Sequence, residues 1–263
     1  MKIGKTEKYI NEKLDDEGAL LFTLVDPLDY PSPDAAISHA SASASNGADV
    51  VLIGGSIGAQ GDLLDNVTKG VKEKVDVPVV LFPGNIATIT RHADALYFMS
   101  LLNARNPYWI TQAQMLSAPL LKKLKVEPLP VGYIVVSPGG TVGWVGDANM
   151  IPREKPQIAA SLALAGQFLG NRFIITDAGS NPQLQGSSSV PYEMIKAVRN
   201  AIDVPYIIGG GVKDEETVRN SIRAGADIIQ IGTAIEQSKN ADSKTKLFSR
   251  AIKEEGKKRK GSR

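Results

Sequence analysis

Short apolar runs alternate with longer amphipathic segments along almost the whole chain. The runs are rich in β-branched residues and lack polar alternation, which is typical of strands buried on both faces of a parallel sheet. We therefore predict eight strands, at residues 19–25, 50–53, 78–82, 95–99, 132–136, 172–176, 205–208 and 227–231.

The segments between the strands carry apolar residues at helical spacing and predict helices. Strand and helix alternate through eight units, which predicts that the sheet closes into a (β/α)8 TIM barrel. Residues 83–94 are too short and too rich in turn formers for a full helix, so we expect an irregular third unit. A helix at residues 5–14 is expected to plug or flank the barrel. Further helices are predicted at residues 32–46, 62–74, 155–169, 193–201 and 213–224.

The length of 263 residues suits one barrel of about 250 residues, although two small domains would also fit it. Hydrophobic residues make up 43% of the chain and can fill a sizeable core, so we favour a single domain over residues 1–263. The end of the chain, from about residue 255 to 263, is strongly basic, and we expect this tail to be disordered.

The net charge of +2 does not indicate a nucleic-acid surface. The absence of cysteine excludes disulfides, cysteine nucleophiles and thiolate metal sites, and two histidines do not favour a His-rich site. The first residues show no signal-peptide pattern, and no apolar stretch approaches about 18 residues. We expect a soluble, cytoplasmic protein without stable membrane insertion.

One long insertion, residues 137–156, is rich in Gly, Pro and Val. Loops of this length in a compact domain are commonly lids, binding loops or interface elements, and a mobile surface loop is the alternative. Trp144 favours the first group, because an exposed indole tends to be placed against another surface.

Catalytic residues of a parallel barrel lie just after its strands. Here those positions include no Lys, His or Glu, which argues against a Schiff-base aldolase. An isomerase would need a carboxylate base, and only Asp177 is placed to serve. The site is therefore expected to bind anions well and to be poor in acid–base groups. The positions are Asp26, Ser56, Gly84, Ser100, Ser137, Asp177, Gly209 and Gly232.

Asp26 and Ser56 follow the first two strands, so a carboxylate and a hydroxyl are expected on the same rim. One or two protein oxygens, completed by water and phosphate oxygens, commonly bind Mg²⁺. The alternative, which stays open, is that each side chain only caps its own turn.

Three glycine-bearing turns follow the last three strands: residues 177–181, Gly209-Gly210-Gly211 and Gly232-Thr233. The last two are expected at neighbouring helix N-termini, where backbone N–H groups and the helix dipole hold a phosphate. One such turn could be a turn and nothing more, but three in consecutive units predict a phosphate cup. A metal-dependent anion site and a phosphate cup at one mouth suggest a transferase that joins two phosphorylated substrates.

Nine short runs between about residues 20 and 234 carry a family resemblance: Thr23-Leu-Val-Asp-Pro27, Val51-Leu-Ile-Gly-Gly-Ser56, Leu81-Phe-Pro-Gly-Asn85, Phe98-Met-Ser-Leu-Leu-Asn103, Asn106-Pro-Tyr-Trp109, Gly132-Tyr-Ile-Val-Val136, Gly139-Gly-Thr-Val-Gly-Trp-Val-Gly146, Ile208-Gly-Gly-Gly211 and Ile231-Gly-Thr233. Each alone is weak, but together they are highly specific. The chain resembles the geranylgeranylglyceryl phosphate synthases of archaeal lipid synthesis and their bacterial heptaprenyl relatives.

The resemblance implies Mg²⁺-dependent prenyl transfer to the C3 hydroxyl of sn-glycerol 1-phosphate, with geranylgeranyl diphosphate as the expected donor. This reaction forms the first ether bond of archaeal membrane lipids, so peripheral membrane contact is implied for the product. Asp26 and Ser56 match the family's metal residues. The glycerol phosphate residues correspond to Ile175, Thr176, Asp177, Ala178, Gly179, Ser180, Asn181, Gly209, Gly210, Gly211, Gly232 and Thr233.

The motif at the sixth strand departs from the family. It usually reads Tyr-Leu-Glu-Ala-Gly-Ser-Gly and here reads Ile175-Thr-Asp-Ala-Gly-Ser-Asn181. The glutamate is the natural group to hold or deprotonate the attacking hydroxyl, and Asp177 keeps its charge on a shorter side chain. The lost tyrosine removes a hydroxyl, for which Tyr133 on the fifth strand is a candidate replacement.

Aromatic residues outside the strands serve assembly in the family, so Tyr108, Trp109 and Trp144 imply a homo-oligomer. Packing of Trp109 between helix and barrel is the alternative. A prenyl chain also needs an apolar channel. Five residues could line it, although core packing is the commoner role for such side chains. These are Phe82, Phe98, Met99, Leu101 and Leu102.

Two other hypotheses stay open. Another phosphate-binding barrel enzyme, such as a sugar-phosphate isomerase or a thiamine-phosphate type transferase, would use the same cup. It does not explain the Leu81-Phe-Pro-Gly-Asn85 or Gly143-Trp-Val-Gly146 runs. The altered sixth-strand motif also allows a non-catalytic phosphate-ligand binder derived from the synthase.

Overall fold

The computed structural model describes residues 3–55, 57–238 and 240–261. Eight parallel strands form a closed barrel in sequence order, and the last strand pairs with the first. The predicted barrel is thus confirmed, although the fifth strand begins earlier than expected. The strands are β1 (Leu20–Val25), β2 (Val50–Gly54), β3 (Val79–Phe82), β4 (Ala95–Leu101), β5 (Glu127–Val135), β6 (Phe173–Asp177), β7 (Tyr206–Gly209) and β8 (Ile228–Ile231).

Helices between the strands cover the outside of the barrel. No helix follows β3 within residues 83–94, so the third unit is irregular as predicted. No helix in the described ranges is both long and apolar enough to cross a membrane. The helices are α1 (Lys5–Glu17), α2 (Pro33–Ser45), α3 (Gly61–Lys72), α4 (Ala113–Leu124), α5 (Gly140–Val145), α6 (Pro156–Phe168), α7 (Tyr192–Ala201), α8 (Glu215–Ala224), α9 (Thr233–Glu236) and α10 (Ala241–Gly261).

Apolar side chains form one layer inside the barrel wall and another between the wall and the helices. On β6, Ile175 packs in the interior with Tyr133 and Ile207. Its neighbour Ile174 packs outside, among helix residues. This alternation follows from the two-residue period of a strand. It also decides which residues at the end of each strand face the barrel mouth.

Helix α1 closes the amino-terminal end of the barrel. Ile10 is fully buried in the interior cluster. Glu127, at the start of β5, accepts hydrogen bonds from the backbone N–H groups of Thr6 and Glu7 at 2.8 and 3.0 Å, which satisfies donors in the first helical turn. Glu7 forms an ion pair with Arg172 at 2.5 Å. Of the two positions expected for this helix, plugging or flanking the barrel, the structure shows the plug.

The expectation of a disordered tail at residues 255–263 is wrong for the part that the structure describes. Helix α10 continues to Gly261. Arg259 donates to Asp227 Oδ1 at 2.9 Å, and Lys260 donates to backbone carbonyls near the end of α1. These contacts tie the basic residues to the body of the protein, which composition alone does not reveal.

The loop at residues 137–156 is tied to the mouth of the barrel. It contains α5, and Val136 forms an isolated parallel bridge with Ile151. Arg153 donates to the carbonyls of Ser137 at 3.2 Å and Ser189 at 2.7 Å. The loop therefore connects the segments that follow β5 and β6.

Candidate active site

A cavity of about 700 Å³ opens at the carboxyl-terminal end of the strands. This volume lies within the usual range for small-molecule sites, about 300–1,000 Å³. One side is polar and is formed by residues that follow β1, β6, β7 and β8. The other side is apolar and is formed by β3, β4, α5 and the segment before α4. The polar side includes Asp26, Asp177, Gly179, Ser180, Asn181, Gly210, Gly211, Gly232, Thr233 and Glu236.

Asp177 is the last residue of β6 and lines this mouth. Its Oδ1 accepts a hydrogen bond from the Gly179 N–H at 2.6 Å, and its Oδ2 accepts one from the Tyr133 hydroxyl at 3.0 Å. Burial raises the pKa of Asp177, and these two donors oppose the rise. The family motif has a tyrosine two residues before this carboxylate, and this chain lacks it. The Tyr133 hydroxyl contacts the same carboxylate from the neighbouring strand.

The turn after β6 packs against the long loop. Gly179 has φ +83°, and a Cβ there would collide with the Gly139 carbonyl. Only glycine accommodates both this backbone conformation and this close approach. The Gly139-Gly140 run and the sixth-strand motif therefore lie in direct contact.

The other two glycine turns differ in their relation to helices. Helix α9 begins at Thr233, directly after Gly232, as predicted. Helix α8 begins only at Glu215, and Asp214 Oδ1 accepts the Thr217 N–H at 2.8 Å. The expectation that the Gly209-Gly210-Gly211 turn lies at a helix N-terminus is therefore wrong, because Asp214 caps that helix itself.

Four of the predicted glycerol phosphate residues do not line the cavity. Thr176 is fully buried, and its hydroxyl lies 2.7 Å from that of Tyr206 in the outer layer. Ile175 packs in the barrel interior and Ala178 in the outer layer. Gly209 lies beneath Asp177. The remaining predicted residues line the cavity together.

Asp26 combines the two roles that the sequence left open. Its Oδ1 accepts the Leu28 N–H at 3.1 Å, so it does cap its turn. Its carboxylate also lies against Gly55 and lines the cavity. Burial raises the pKa of Asp26 to about 6. Ser56, the other predicted metal residue, lies outside the described residues.

Glu236 is a candidate that sequence reasoning missed. Its Oε1 accepts hydrogen bonds from the Asp26 N–H at 3.3 Å and the Tyr30 hydroxyl at 3.2 Å. Burial raises its pKa to about 7. Glu236 thereby joins the segment after β1 to the turn after β8. The available signal was an acid one helical turn beyond Gly232-Thr233.

The apolar side of the cavity begins at an aromatic cluster. Phe82 packs edge-on against Tyr97 and Tyr133, with ring centres 5.4 and 5.9 Å apart. Leu102, one of the predicted channel residues, packs against the outer layer instead, because it lies on the other face of its strand end. The other channel candidates line the cavity with Trp109: Phe82, Phe98, Met99 and Leu101.

The model of the PcrB family matches residues 13–252. This chain belongs to the PcrB family. It is 50% identical over 246 residues to the geranylgeranylglyceryl phosphate synthase of Pyrococcus horikoshii, which covers 94% of each chain. It is 52% identical over 239 residues to the synthase of Pyrococcus furiosus, which covers 90% of this chain and 92% of that one.

Solved structures agree with this membership. The geranylgeranylglyceryl phosphate synthase of Thermoplasma acidophilum, in complex with its substrate sn-glycerol-1-phosphate, has a TM-score of 0.89 and 33% identity. The match covers 96% of this chain and 100% of that one. Thiamine phosphate pyrophosphorylase from Pyrococcus furiosus shares only the fold, with a TM-score of 0.60 and 10% identity over 91% of this chain and 98% of that one. The resemblance inferred from sequence is confirmed, and the PcrB relatives are prenyltransferases.

Proposed function

We propose that this PcrB-family chain transfers a prenyl group from an isoprenoid diphosphate, geranylgeranyl diphosphate in the first instance, to the C3 hydroxyl of sn-glycerol 1-phosphate. Relatives at 50% identity are named for this product. The observation that carries the proposal is the position of Asp177 between a polar cup and an apolar wall of one cavity. The cup suits a phosphorylated polyol, and the wall suits a prenyl chain.

Asp177 is the group placed to receive the proton of the attacking hydroxyl. Gly179 and Tyr133 each donate to one of its oxygens, which fixes the carboxylate and leaves each oxygen able to accept another hydrogen bond. In the transfer, the C3 oxygen bonds to C1 of the prenyl group and the proton passes to Asp177. The C1–O bond to diphosphate breaks, and its electron pair leaves with diphosphate. The raised pKa makes this carboxylate a better base.

We further propose that Asp26, with Ser56, holds Mg²⁺ near the departing diphosphate. The donor set fits, because carboxylate and hydroxyl oxygens are the ligands that Mg²⁺ prefers. Leu28 occupies only Oδ1 of Asp26, and no Lys or Arg forms an ion pair with this carboxylate among the described residues. When bound, the cation would supply positive charge to the leaving diphosphate.

The direct test is to incubate the chain with Mg²⁺, labelled sn-glycerol 1-phosphate and prenyl diphosphates of several lengths. We expect an organic-extractable ether product, formed best with the geranylgeranyl donor. Binding of glycerol phosphate without product from any donor would refute the synthase and favour a non-catalytic binder. Turnover of a different phosphorylated substrate at the same cup would favour another class of barrel enzyme.

We also propose that the chain forms a homo-oligomer in the cytoplasm. Trp144 on α5 is 85% exposed, and Phe168 and Leu169 at the end of α6 are 77% and 80% exposed. Large apolar side chains in these positions are suited to contact with a second copy. Light scattering coupled to size exclusion should give a mass above that of one chain, and Phe168→Ser should lower it if α6 forms the interface.

A further inference from the structure

Gln230 is a polar residue in the middle of an apolar strand, β8. Its neighbours Ile229 and Ile231 pack in the outer layer, and Ile228 packs in the barrel interior. Gln230 is two residues after Ile228, so its side chain also faces the barrel interior. It lines the active-site cavity. It is only 5% exposed.

The side-chain oxygen of Gln230 is buried and has no hydrogen-bond partner among the described residues. Buried amide oxygens are almost always paired, because leaving one without a partner costs free energy. An unpaired acceptor that lines a ligand cavity therefore points to a donor on the ligand.

Asp177 approaches Gln230 across β7. Gly209 on β7 pairs with Asp177 on β6. The β7–β8 register, extended by one residue, places Gly209 beside Gln230 on its other side. A Cβ on Gly209 would lie 2.5 Å from Asp177 Oδ2, so the Asp177 carboxylate leans over this glycine toward β8. No β7 side chain therefore separates Asp177 from Gln230, and both residues line the cavity.

We propose that Gln230 accepts a hydrogen bond from the C2 hydroxyl of sn-glycerol 1-phosphate and is a specificity-determining residue for the acceptor. This inference rests on the proposed function. Gln230 lies two residues before Gly232 on the same strand, below the phosphate cup. An acceptor with its phosphate in the cup and its C3 hydroxyl at Asp177 presents C2 between them. The free hydroxyl at that carbon is the donor that Gln230 lacks.

The test compares two acceptors in calorimetric binding to the full chain: sn-glycerol 1-phosphate and 3-hydroxypropyl phosphate, which lacks the C2 hydroxyl. We expect the wild-type chain to prefer the first by about tenfold, the usual range for one hydrogen bond at a buried site. Gln230→Met keeps the size of the side chain and removes the acceptor. It should bind the two compounds within about twofold of each other, because it loses affinity only for glycerol phosphate.

Gln237→Met is the matched control, since Gln237 is an exposed glutamine on the rim of the same cavity. It should keep the wild-type preference. Inorganic phosphate should bind all three proteins alike, and the melting temperature of Gln230→Met should not fall, because an unpaired acceptor has been replaced by an apolar group.

Two results would overturn the inference in distinguishable ways. If Gln230→Met retains the tenfold preference while the wild type makes product, Gln230 does not read the C2 hydroxyl and the proposed function stands. If the wild type binds no glycerol phosphate and makes no ether product, both proposals fail together.

Discussion

At the amino-terminal end of the barrel, buried carboxylates are held by lysine and arginine. Asp49, which is 2% exposed, lies 2.8 Å from both Lys13 and Lys253. Asp227 is paired with Arg199 at 2.6 Å and Arg259 at 2.9 Å. At the carboxyl-terminal end, by contrast, three carboxylates that line the cavity and are wholly or partly buried have no ion-pair partner within residues 3–55, 57–238 and 240–261. These are Asp26, Asp177 and Glu236.

The carboxylates at the mouth, which lack ion-pair partners, have a raised proton affinity. Burial raises the pKa of Asp26 to about 6 and that of Glu236 to about 7, and it also raises the pKa of Asp177. Such groups weaken the folded state unless a proton or a ligand neutralises them. The amino-terminal end uses its charges for stability, whereas the mouth keeps carboxylates available for chemistry. Buried carboxylates without an ion-pair partner are expected at functional sites, where such local costs serve chemistry.

The largest expected effect is on catalysis at the mouth. Asp177→Asn should lower kcat for prenyl transfer by at least about 100-fold, because the hydroxyl loses its proton acceptor. Its affinity for glycerol phosphate should stay within about threefold, and its melting temperature should not fall. Single-turnover rates and calorimetry measure both quantities. A kcat within about threefold of wild type would show that Asp177 is not the base.

The next effect is on stability at the opposite end. Asp49→Ala should lower the free energy of unfolding by about 3–5 kcal/mol, because two lysines and the Leu21 N–H lose a buried partner. Urea denaturation measures this change. Asp65→Ala, at an exposed position on α3, is the control and should stay within about 0.5 kcal/mol. A loss below about 1 kcal/mol for Asp49→Ala would remove the contrast between the two ends.

The smallest effect is on the pH dependence of stability, which should have opposite signs in the two regions. Glu255 represents the amino-terminal end, because its neighbour Gly256 packs against Gly18, directly after α1. Arg223, with Lys258 and Arg219, lowers the pKa of Glu255 from 4.5 to about 2. The folded chain therefore binds fewer protons at this site, and the stabilisation present above pH 4.5 is lost as the pH falls through 2. The raised pKa of Asp177 makes its contribution decline as the pH rises above 3.8.

Melting temperatures measured across the pH range should separate these two signs. Glu255→Gln should remove part of the loss of stability on acidification. Asp177→Asn should gain stability relative to wild type as the pH rises. If the two variants depart from wild type with the same sign, the contrast is wrong.

The barrel could be predicted from sequence because its strands are continuous apolar runs with turn residues between them. The end of β5 nearest α1 was missed because Pro128 and Pro130 interrupt the apolar pattern there. The helical tail was missed because its stability comes from Asp227 and from carbonyls of α1, which are remote in sequence.

The site was only partly predictable for a similar reason. Asp26 and Asp177 directly follow or end apolar runs, so their place at the mouth follows from topology. Glu236 could not be predicted, because its role depends on Tyr30 and on the Asp26 N–H. These groups come close to Glu236 only because β8 pairs with β1 when the barrel closes. Gln230 carried a signal, a polar residue in an apolar strand, whose meaning depends on which way the strand faces.

The most direct measurement of the central claim compares wild type and Asp26→Asn in Mg²⁺-dependent prenyl transfer, with glycerol phosphate binding measured on the same samples. If Asp26 binds the cation and the glycine turns bind the phosphate of the acceptor, the variant should lose turnover. Its affinity for glycerol phosphate should stay within about twofold of wild type. Equal loss of turnover and of affinity, or undiminished transfer by Asp26→Asn, would contradict this division of the site.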